Sequence, residues 1–283
     1  MKLLNGKELA DKIKDEVKSE VKQMNENNQD VCLAVIQVGN DLASSVYVRN
    51  KEKACEYIGI ESKMIKLPES TTEDALIDII HELNNTNNVN GILVQLPLPN
   101  HIDEYNVIQA ISPKKDVDGF HEINVGKLVL GEDVLSPCTA NGIIKLLLCN
   151  NIDISGKNCV VVGRSNIVGK PTATMLLQLD GTVTICHSKT KNLKEVCKNA
   201  DILICAIGKP KFFNKDYIKN DAVVIDVGIH RTENGLCGDV DFDNVKDIVS
   251  AITPVPKGVG AMTIAMLMYN CVQAARMQYK ERQ

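Results

Sequence analysis

The stretch that decides the fold is Asn158–Pro171, NCVVVGRSNIVGKP, in which an apolar run breaks into two glycines and then into a helical pattern. The residues from Cys159 to Val162 predict a strand buried on both faces, and KPTATMLLQL predicts the start of a helix. Backbone N–H groups in the turn between Gly163 and Gly169 favour a pyrophosphate at the N-terminus of that helix. The spacing differs from the usual G-x-G-x-x-G, so an ordinary strand-to-helix turn stays open as an interpretation.

The next strand indicates which dinucleotide would bind. In the common fingerprint, an acidic residue about 20 residues beyond the glycines binds the ribose and selects NAD. Here the strand over 182–186 is followed by HSKTK, which has no carboxylate but offers hydroxyl groups and cations. Ser188 in that loop and Arg164 in the first turn suit a 2′-phosphate, so the sequence favours NADP. The other interpretation is a solvated lysine loop with Arg164 paired to a carboxylate.

Length and composition describe an ordinary globular protein. The 283 residues suggest two domains or one large one, and 44% are hydrophobic and 24% charged. A net charge of −4 without basic clusters argues against nucleic acid as a partner. No apolar run approaches the roughly 18 residues of a membrane span, and the N-terminus lacks a signal-peptide core. With ten scattered cysteines and no C-x-x-C pair, we expect a cytoplasmic protein with no membrane partner.

Strands and helices alternate in both halves of the chain, which predicts two α/β units with parallel sheets. In the first half we predict a helix capped by Asn5 and Glu8, a strand over 31–38, a helix over 42–58 closed by Gly59, a strand over 62–67, a helix capped by Thr72 and a strand over 91–96. In the second half we predict a helix over 141–149, strands near Cys159, Val183, Ile202 and Val223, and a last helix over 261–279.

One candidate for chemistry is the pair Tyr47 and Lys51, which the i, i+4 spacing places on one face of a helix. A phenol one turn away can orient the amine for proton transfer. The same spacing arises easily by chance, as a surface lysine beside a half-buried tyrosine. Short-chain dehydrogenases use this pair after the glycine turn, whereas here it precedes Gly163, so that class is not favoured.

Two further candidates lie where apolar segments end. Gln95, in VQLPLP, closes a buried strand and can either bind a ligand or cap the backbone. In KKDVDGFH, Asp116 and Asp118 are two residues apart, so one carboxylate can point inward while the other meets solvent or a basic group. Aspartates in turns are otherwise usually caps. We predict no metal site, because no further histidine or carboxylate has ligand spacing.

Nine segments taken in order are recognisable together: YVRNKEKA, GILVQLPLP, PKKDVDGFH, SPCTANGIIKLL, VVGRSNIVGKP, HSKT, AIGKP, VIDVGIH and ITPVPKGVGAMT. This order resembles the bifunctional methylenetetrahydrofolate dehydrogenase/methenyltetrahydrofolate cyclohydrolase family over essentially the whole chain. The resemblance implies a two-domain α/β fold, with a folate-binding catalytic domain at 1–140 plus the helix 262–283, and a Rossmann-like NADP-binding domain at 141–261. It also implies a cleft between the domains, a folate substrate and a homodimer.

Carried over position by position, the resemblance implies catalytic and folate-binding roles for Lys51, Tyr47, Gln95 and Asp118. It implies cofactor contacts at Gly163, Arg164, Ser165, Ser188 and Ile229. The family reaction moves a hydride from 5,10-methylenetetrahydrofolate to NADP, and water then opens the methenyl cation to 10-formyltetrahydrofolate. Lys51 is the candidate for the proton transfers of the second step.

Four positions depart from the family pattern. Ala140 and Ala261 stand where proline is usual, Lys257 replaces a glycine and His230 replaces an asparagine. Each lost proline relaxes a loop by about 0.4 to 1 kcal/mol through the unfolded state. Two other interpretations stay open: an NADP oxidoreductase similar to shikimate dehydrogenase, and a non-catalytic module that binds NADP or folate.

Overall fold

The computed structural model describes residues 1–40, 42–233 and 235–282, without the side chains of residues 42–46. The elements follow one another as β1 (Lys2–Leu3), α1 (Gly6–Glu26), β2 (Cys32–Val38), α2 (Leu42–Ile58), β3 (Glu61–Leu67), α3 (Glu73–Asn85), β4 (Gly91–Val94), α4 (Glu104–Ala110), α5 (Glu122–Leu130), α6 (Cys138–Cys149), β5 (Asn158–Val162), α7 (Gly169–Gln178), β6 (Thr182–Cys186), α8 (Leu193–Lys198), β7 (Ile202–Cys205), β8 (Val223–Asp226), β9 (His230–Thr232), β10 (Gly235–Cys237), α9 (Phe242–Val245), β11 (Ala251–Ile252) and α10 (Val259–Glu281).

The chain divides into two compact units. The six-stranded unit contains Met1–Ala10 and Thr139–Thr263, and the three-stranded unit contains Asp11–Cys138 and Ile264–Gln283. The predicted bounds, 1–140 with 262–283 and 141–261, differ from this division by two residues at 139–140 and at 262–263, and mainly in the first ten residues. The reason is that β1 pairs in parallel with β11, through Lys2 with Ala251 and Leu3 with Ile252, and so joins the six-stranded sheet.

The six-stranded sheet is parallel and has the strand order β1-β11-β8-β7-β5-β6. The chain runs from β5 outward to β6 and then returns past β5 to β7, so the order reverses beside β5. In parallel α/β sheets, ligands bind outside the carboxyl ends of the strands at such a reversal. The residues from Cys159 to Val162 are buried, as the apolar run predicts for a strand covered on both faces.

The three-stranded sheet is also parallel, with the order β3-β2-β4. All seven residues of β2, the central strand, are buried, as expected where both faces of a parallel sheet are covered. The chain again reverses direction across the sheet beside β2. The register pairs Ile36 with Val94, and the Gln95 backbone N–H continues the ladder to the Ile36 carbonyl at 2.8 Å. Gln95 therefore lies at the carboxyl end of β4.

Local signals placed several helix ends correctly. Asn5 Oδ1 accepts from the Lys7 backbone N–H at 3.2 Å, and Thr72 Oγ1 accepts from the Ala75 N–H at 3.3 Å. Gly59 ends α2 with φ of +92°, in the region that favours glycine. The strand predicted over 91–96 ends two residues earlier, at Val94, and the helix predicted over 141–149 begins at Cys138.

The end of the chain, Ile264–Gln283, groups with the three-stranded unit. The helices α4 and α5 were not predicted. Eight of the ten cysteines are buried, as expected for small core residues. Among the described residues, no helix combines the length and apolar composition that crossing a bilayer requires.

Candidate functional site

In the three-stranded unit, the structure brings Lys51 and Gln95 into direct contact. Lys51 Nζ donates to Gln95 Oε1 at 2.9 Å, from helix α2 to the residue after β4. Gln95 Nε2 in turn donates to the Leu96 carbonyl at 2.6 Å, so this side chain both caps the backbone and holds the amine. Tyr47 lies one turn before Lys51 on α2 and is exposed. The predicted trio therefore shares one end of β4 and the helix beside it.

The two aspartates of the DVD segment have different surroundings. Asp116 is buried and forms a parallel bridge with Ile92 of β4. Its Oδ1 accepts from the Gly119 N–H at 3.0 Å, and its Oδ2 accepts from the His121 N–H at 2.8 Å. Asp118, inside the turn that these bonds close, is half-buried. One carboxylate thus points inward, as the spacing suggested, and the other is available to a ligand.

Asp118 ionises at an unusually high pH. Burial raises the pKa of its carboxyl to about 6, the positive charge of Lys51 lowers it, and the neighbouring Asp116 charge raises it. Lys51 and Asp118 are therefore close enough to interact electrostatically. Burial also raises the pKa of the Cys138 thiol well above its ordinary value, and this cysteine is part of the buried core.

Two asparagines that sequence reasoning missed support the Asp118 loop. Asn124 Nδ2 donates to Asp116 Oδ2 at 3.0 Å. Asn270, on α10, donates to the Val117 carbonyl at 2.8 Å and to the Ser136 carbonyl at 2.9 Å. Both side chains are buried, where an unpaired carbonyl would be costly. No local motif marks Asn270, because its partners lie more than a hundred residues away.

In the six-stranded unit, the predicted glycine turn joins β5 to α7. Gly163 has φ of +138°, and a Cβ there would overlap the Ala206 carbonyl oxygen. A Cβ on Gly169 would overlap the Gly163 carbonyl oxygen. Neither position therefore has room for a side chain. The turn leads directly into the N-terminus of a ten-residue helix. This arrangement fits the phosphates of a dinucleotide.

The other predicted cofactor residues follow the carboxyl ends of strands in the same sheet. Arg164 and Ser165 follow β5, and Ser188 lies in the turn after β6. Ser165 Oγ accepts from the Val168 N–H at 3.1 Å and from the Gly169 N–H at 3.3 Å, which leaves its hydroxyl hydrogen as a donor. In the turn after β6, Thr190 Oγ1 accepts from the His187 N–H at 2.8 Å, so Ser188 sits in an ordered loop.

Ile229 follows β8 and lines a small pocket together with Lys257 and Gly260. A Cβ on Gly260 would approach Ile229 Cδ1 to 2.7 Å, so the glycine makes room for this side chain. Lys257 has φ of +80°, a conformation that glycine adopts without strain, which explains why glycine is usual here. Ala140 and Ala261 both lie in the first turn of a helix, where proline is tolerated and alanine keeps the helix.

Parallel sheets with polar side chains gathered at the carboxyl ends of their strands define an α/β protein with a dinucleotide-binding unit. Residues 4–118 match the tetrahydrofolate dehydrogenase/cyclohydrolase catalytic domain, and residues 137–279 match the tetrahydrofolate dehydrogenase/cyclohydrolase NAD(P)-binding domain. The chain belongs to the tetrahydrofolate dehydrogenase/cyclohydrolase family, and the family prediction made from the sequence is confirmed.

Several relatives match the chain over nearly its whole length. The "Bifunctional protein FolD" of Agathobacter rectalis is 63% identical over 97% of this chain and 99% of its own. The structure of a bifunctional FolD methylenetetrahydrofolate dehydrogenase/cyclohydrolase from Campylobacter jejuni has a TM-score of 0.97 at 48% identity, covering both chains completely. A FolD from Trypanosoma brucei, solved with NADP and an inhibitor, has a TM-score of 0.93 at 35% identity over 98% of each chain.

The shikimate alternative has much weaker support. A shikimate 5-dehydrogenase from Thermus thermophilus has a TM-score of 0.51 at 14% identity, covering 88% of this chain and 99% of its own. That likeness is one of fold alone.

The neighbourhood of Lys51 and Asp118 predicts a change in a measurable pKa. Lys51→Met removes the positive charge that lowers the pKa of Asp118, so we expect that pKa to rise above about 6. Carboxyl ¹³C chemical shifts of labelled aspartate, followed against pH, would measure it. Lys53→Met, which changes an exposed lysine on the same helix, should leave the titration in place. An Asp118 titration that Lys51→Met does not move would contradict this arrangement.

Proposed function

We propose that this protein oxidises 5,10-methylenetetrahydrofolate to 5,10-methenyltetrahydrofolate with NADP and then hydrolyses the product to 10-formyltetrahydrofolate. The observation that carries the proposal is the 2.9 Å hydrogen bond between Lys51 and Gln95 at the end of β4, with Asp118 close enough for its pKa to respond to Lys51. Family membership and the activities named for the FolD relatives support the same reaction.

Asp118 is the residue that we expect to bind the pterin. The amino-pyrimidinone edge of a pterin offers parallel N–H donors, which a carboxylate can accept in bidentate fashion. The Asp116 bonds to Gly119 and His121 hold the turn on both sides of Asp118, so its position is fixed before the substrate arrives. Binding by an ionised carboxylate should strengthen as the pH rises through about 6.

The hydride step needs alignment more than acid or base catalysis, because the folate nitrogens stabilise the developing cation. NADP, when bound, supplies the hydride acceptor. The residues of this chain position the two reactants. Asp118 would orient the pterin, and the turn between Gly163 and Gly169, with Ser165 and Ile229, would hold the cofactor. Neither Lys51 nor any other side chain has to move a proton in this step.

The hydrolysis step does require proton transfers. Water adds its oxygen to the methenyl carbon and loses one proton. One C–N bond then breaks as the hydroxyl loses its proton to form the formyl C=O, and the departing nitrogen keeps the electron pair and gains a proton. Overall, the methenyl cation and water give the formyl product and one proton. Lys51 Nζ can take and return protons during these events, and Gln95 Oε1 fixes its position at 2.9 Å. Tyr47, one turn earlier on α2, is the third group of the proposed set.

The first experiment follows reduced nicotinamide and the methenyl intermediate by absorbance, with purified protein, 5,10-methylenetetrahydrofolate and NADP. The wild-type protein should reduce NADP with little accumulation of methenyl product. Lys51→Met should still reduce NADP but lose the hydrolysis rate by roughly 100-fold or more, the usual contribution of general acid–base catalysis. Lys53→Met is the matched control and should behave as wild type.

Each other outcome of that assay has a definite meaning. Hydrolysis at the wild-type rate in Lys51→Met would contradict the role of Lys51. No reduction with either NADP or NAD would contradict the folate assignment, and shikimate would then be tested as substrate. Binding of both ligands without turnover would support a non-catalytic module instead.

The preference for NADP should depend on Arg164 and Ser188. A charged hydrogen bond to a 2′-phosphate contributes about 1.5 to 3 kcal/mol, so Arg164→Ala should raise the KM for NADP by roughly 10- to 100-fold. The KM for NAD should change little, because NAD lacks that phosphate. Ser188→Ala should act in the same direction, and Lys198→Ala, an exposed charge on α8, should have no effect. Equal losses with both cofactors would contradict a 2′-phosphate site.

We also propose that the protein is a homodimer in the cytoplasm. The strand β6 is the last strand of the described sheet, and Ile185 on it and Leu177 on α7 are exposed. An open strand edge with exposed apolar residues is a common place for pairing with another chain. All ten cysteines are free, which is typical of a reducing compartment. Sedimentation equilibrium should give twice the 31.0 kDa chain mass, and a monomer at micromolar concentration would contradict the dimer.

A further inference from the structure

The six-stranded unit contains a fully buried carboxylate with four hydrogen-bond donors around it. Asp239 Oδ2 accepts from the Ile207 N–H at 2.7 Å and from the Gly208 N–H at 3.0 Å. Its Oδ1 accepts from the Lys209 N–H at 2.9 Å and contacts His230 Nε2 at 2.8 Å. Three donors are consecutive backbone groups of the loop after β7, and the fourth is the His230 side chain of β9.

The three backbone donors belong to the loop that follows β7, which lies next to β5 in the sheet. The Ala206 carbonyl at the start of that loop lies against Gly163, where it excludes any Cβ. Asp239 therefore holds the loop that borders the proposed phosphate turn. Because this is the place where the strand order reverses, a shift of the loop would change the shape of the cofactor site.

The fourth donor connects the same carboxylate to a second part of that site. His230 opens β9 directly after Ile229, a proposed cofactor contact, and its side chain is 19% exposed. An ionised carboxylate only accepts hydrogen bonds, so Nε2 carries a hydrogen in this pair. The bond therefore fixes the backbone at His230 and, with it, the position from which Ile229 reaches its pocket.

His230 is also one of the four positions that depart from the family pattern, where asparagine is usual. The amide nitrogen of asparagine lies one bond closer to Cα than Nε2 of histidine does. In this structure the imidazole therefore spans a separation between β9 and Asp239 that the shorter side chain would reach only if the backbone moved.

We propose that His230 is a positioning residue for the nicotinamide cofactor. Through its bond to Asp239, His230 holds Ile229 and the loop that follows β7, residues 206–210, in the conformation that binds the cofactor. The inference rests on the proposed function, because it takes a nicotinamide dinucleotide as the ligand of this unit. Removing the imidazole leaves a buried carboxylate short of one donor, and the loop and strand then adjust to recover it. Loss of the imidazole therefore weakens cofactor binding and leaves the folate chemistry unchanged.

The test is a fluorescence titration of the full-length protein with NADPH in the absence of folate. His230→Ala should weaken NADPH binding by roughly tenfold, the loss of one hydrogen bond to a charged group. His230→Gln places its amide nitrogen as many bonds from Cα as Nε2 and should recover most of the affinity. His81→Ala, an exposed histidine on α3, is the matched control. In steady-state assays the KM for NADP should rise, while kcat and the KM for folate stay nearly unchanged.

Three results would overturn the inference. One is wild-type NADPH affinity in His230→Ala. Another is an equal loss of affinity in His230→Ala and His230→Gln, which would show that the hydrogen bond is not the cause. The third is a parallel fall in kcat and thermal stability with no change in NADPH affinity, which would indicate a general structural role. Failure of the proposed function is distinct, because it appears in the wild-type protein as an absence of folate oxidation or of NADPH binding.

Discussion

Both proposed sites depend on one kind of interaction, the hydrogen bonds that buried aspartate carboxylates accept from backbone N–H groups. Asp116 closes the turn around Asp118 in the three-stranded unit. In the six-stranded unit, Asp226 accepts from the N–H groups of Gly228, Asp239 and Val240, and Asp239 accepts from three consecutive N–H groups after β7. Loops at the ends of buried strands have few backbone partners of their own. A carboxylate with several donors satisfies these groups and gives each loop one conformation.

These same carboxylates set the electrostatics of the loops that they hold. Burial raises the pKa of Asp226 to about 6, while its bonds to backbone N–H groups lower it, and the burial effect is the larger. In the other unit, the charge of Asp116 contributes to the raised pKa of Asp118. Each of these loops is thus closed by a carboxylate whose pKa is raised by burial. Arg164, by contrast, is exposed at the place proposed for the 2′-phosphate of the cofactor.

The sequence predicted what depends on local patterns. Apolar runs identified β2 and β5, and caps at Asn5, Thr72 and Gly59 identified helix ends, because each signal lies within a few residues of the element it controls. The helix α5 was missed because its N-cap is His121, whose ring accepts from the Ile123 N–H at 3.1 Å, and histidine is not a usual capping residue. The helix α4 could have been predicted from the sequence, because Asp103 is a usual N-cap residue and accepts from the Tyr105 N–H.

Features made by distant contacts could not be read from the sequence. β1 has only two residues and exists because it pairs with β11 at the far end of the chain. Asp116 stood out as a residue, but its partner Asn124 and the support from Asn270 depend on folding that no spacing reveals. Local patterns already made candidates of most of the proposed site residues, but the roles proposed for them, and the choice of Ser165 and Ile229, came from the family resemblance over many segments.

The path of the chain between the two units has a consequence for how the protein is made. The three-stranded unit needs Ile264–Gln283, and within it Asn270 secures the two carbonyls beside the Asp118 turn. A ribosome therefore finishes the central strands of that unit long before it delivers the segment that completes them. During synthesis most of the six-stranded unit emerges before α10, so the loop that contains Asp118 takes its final form only after that helix has been made.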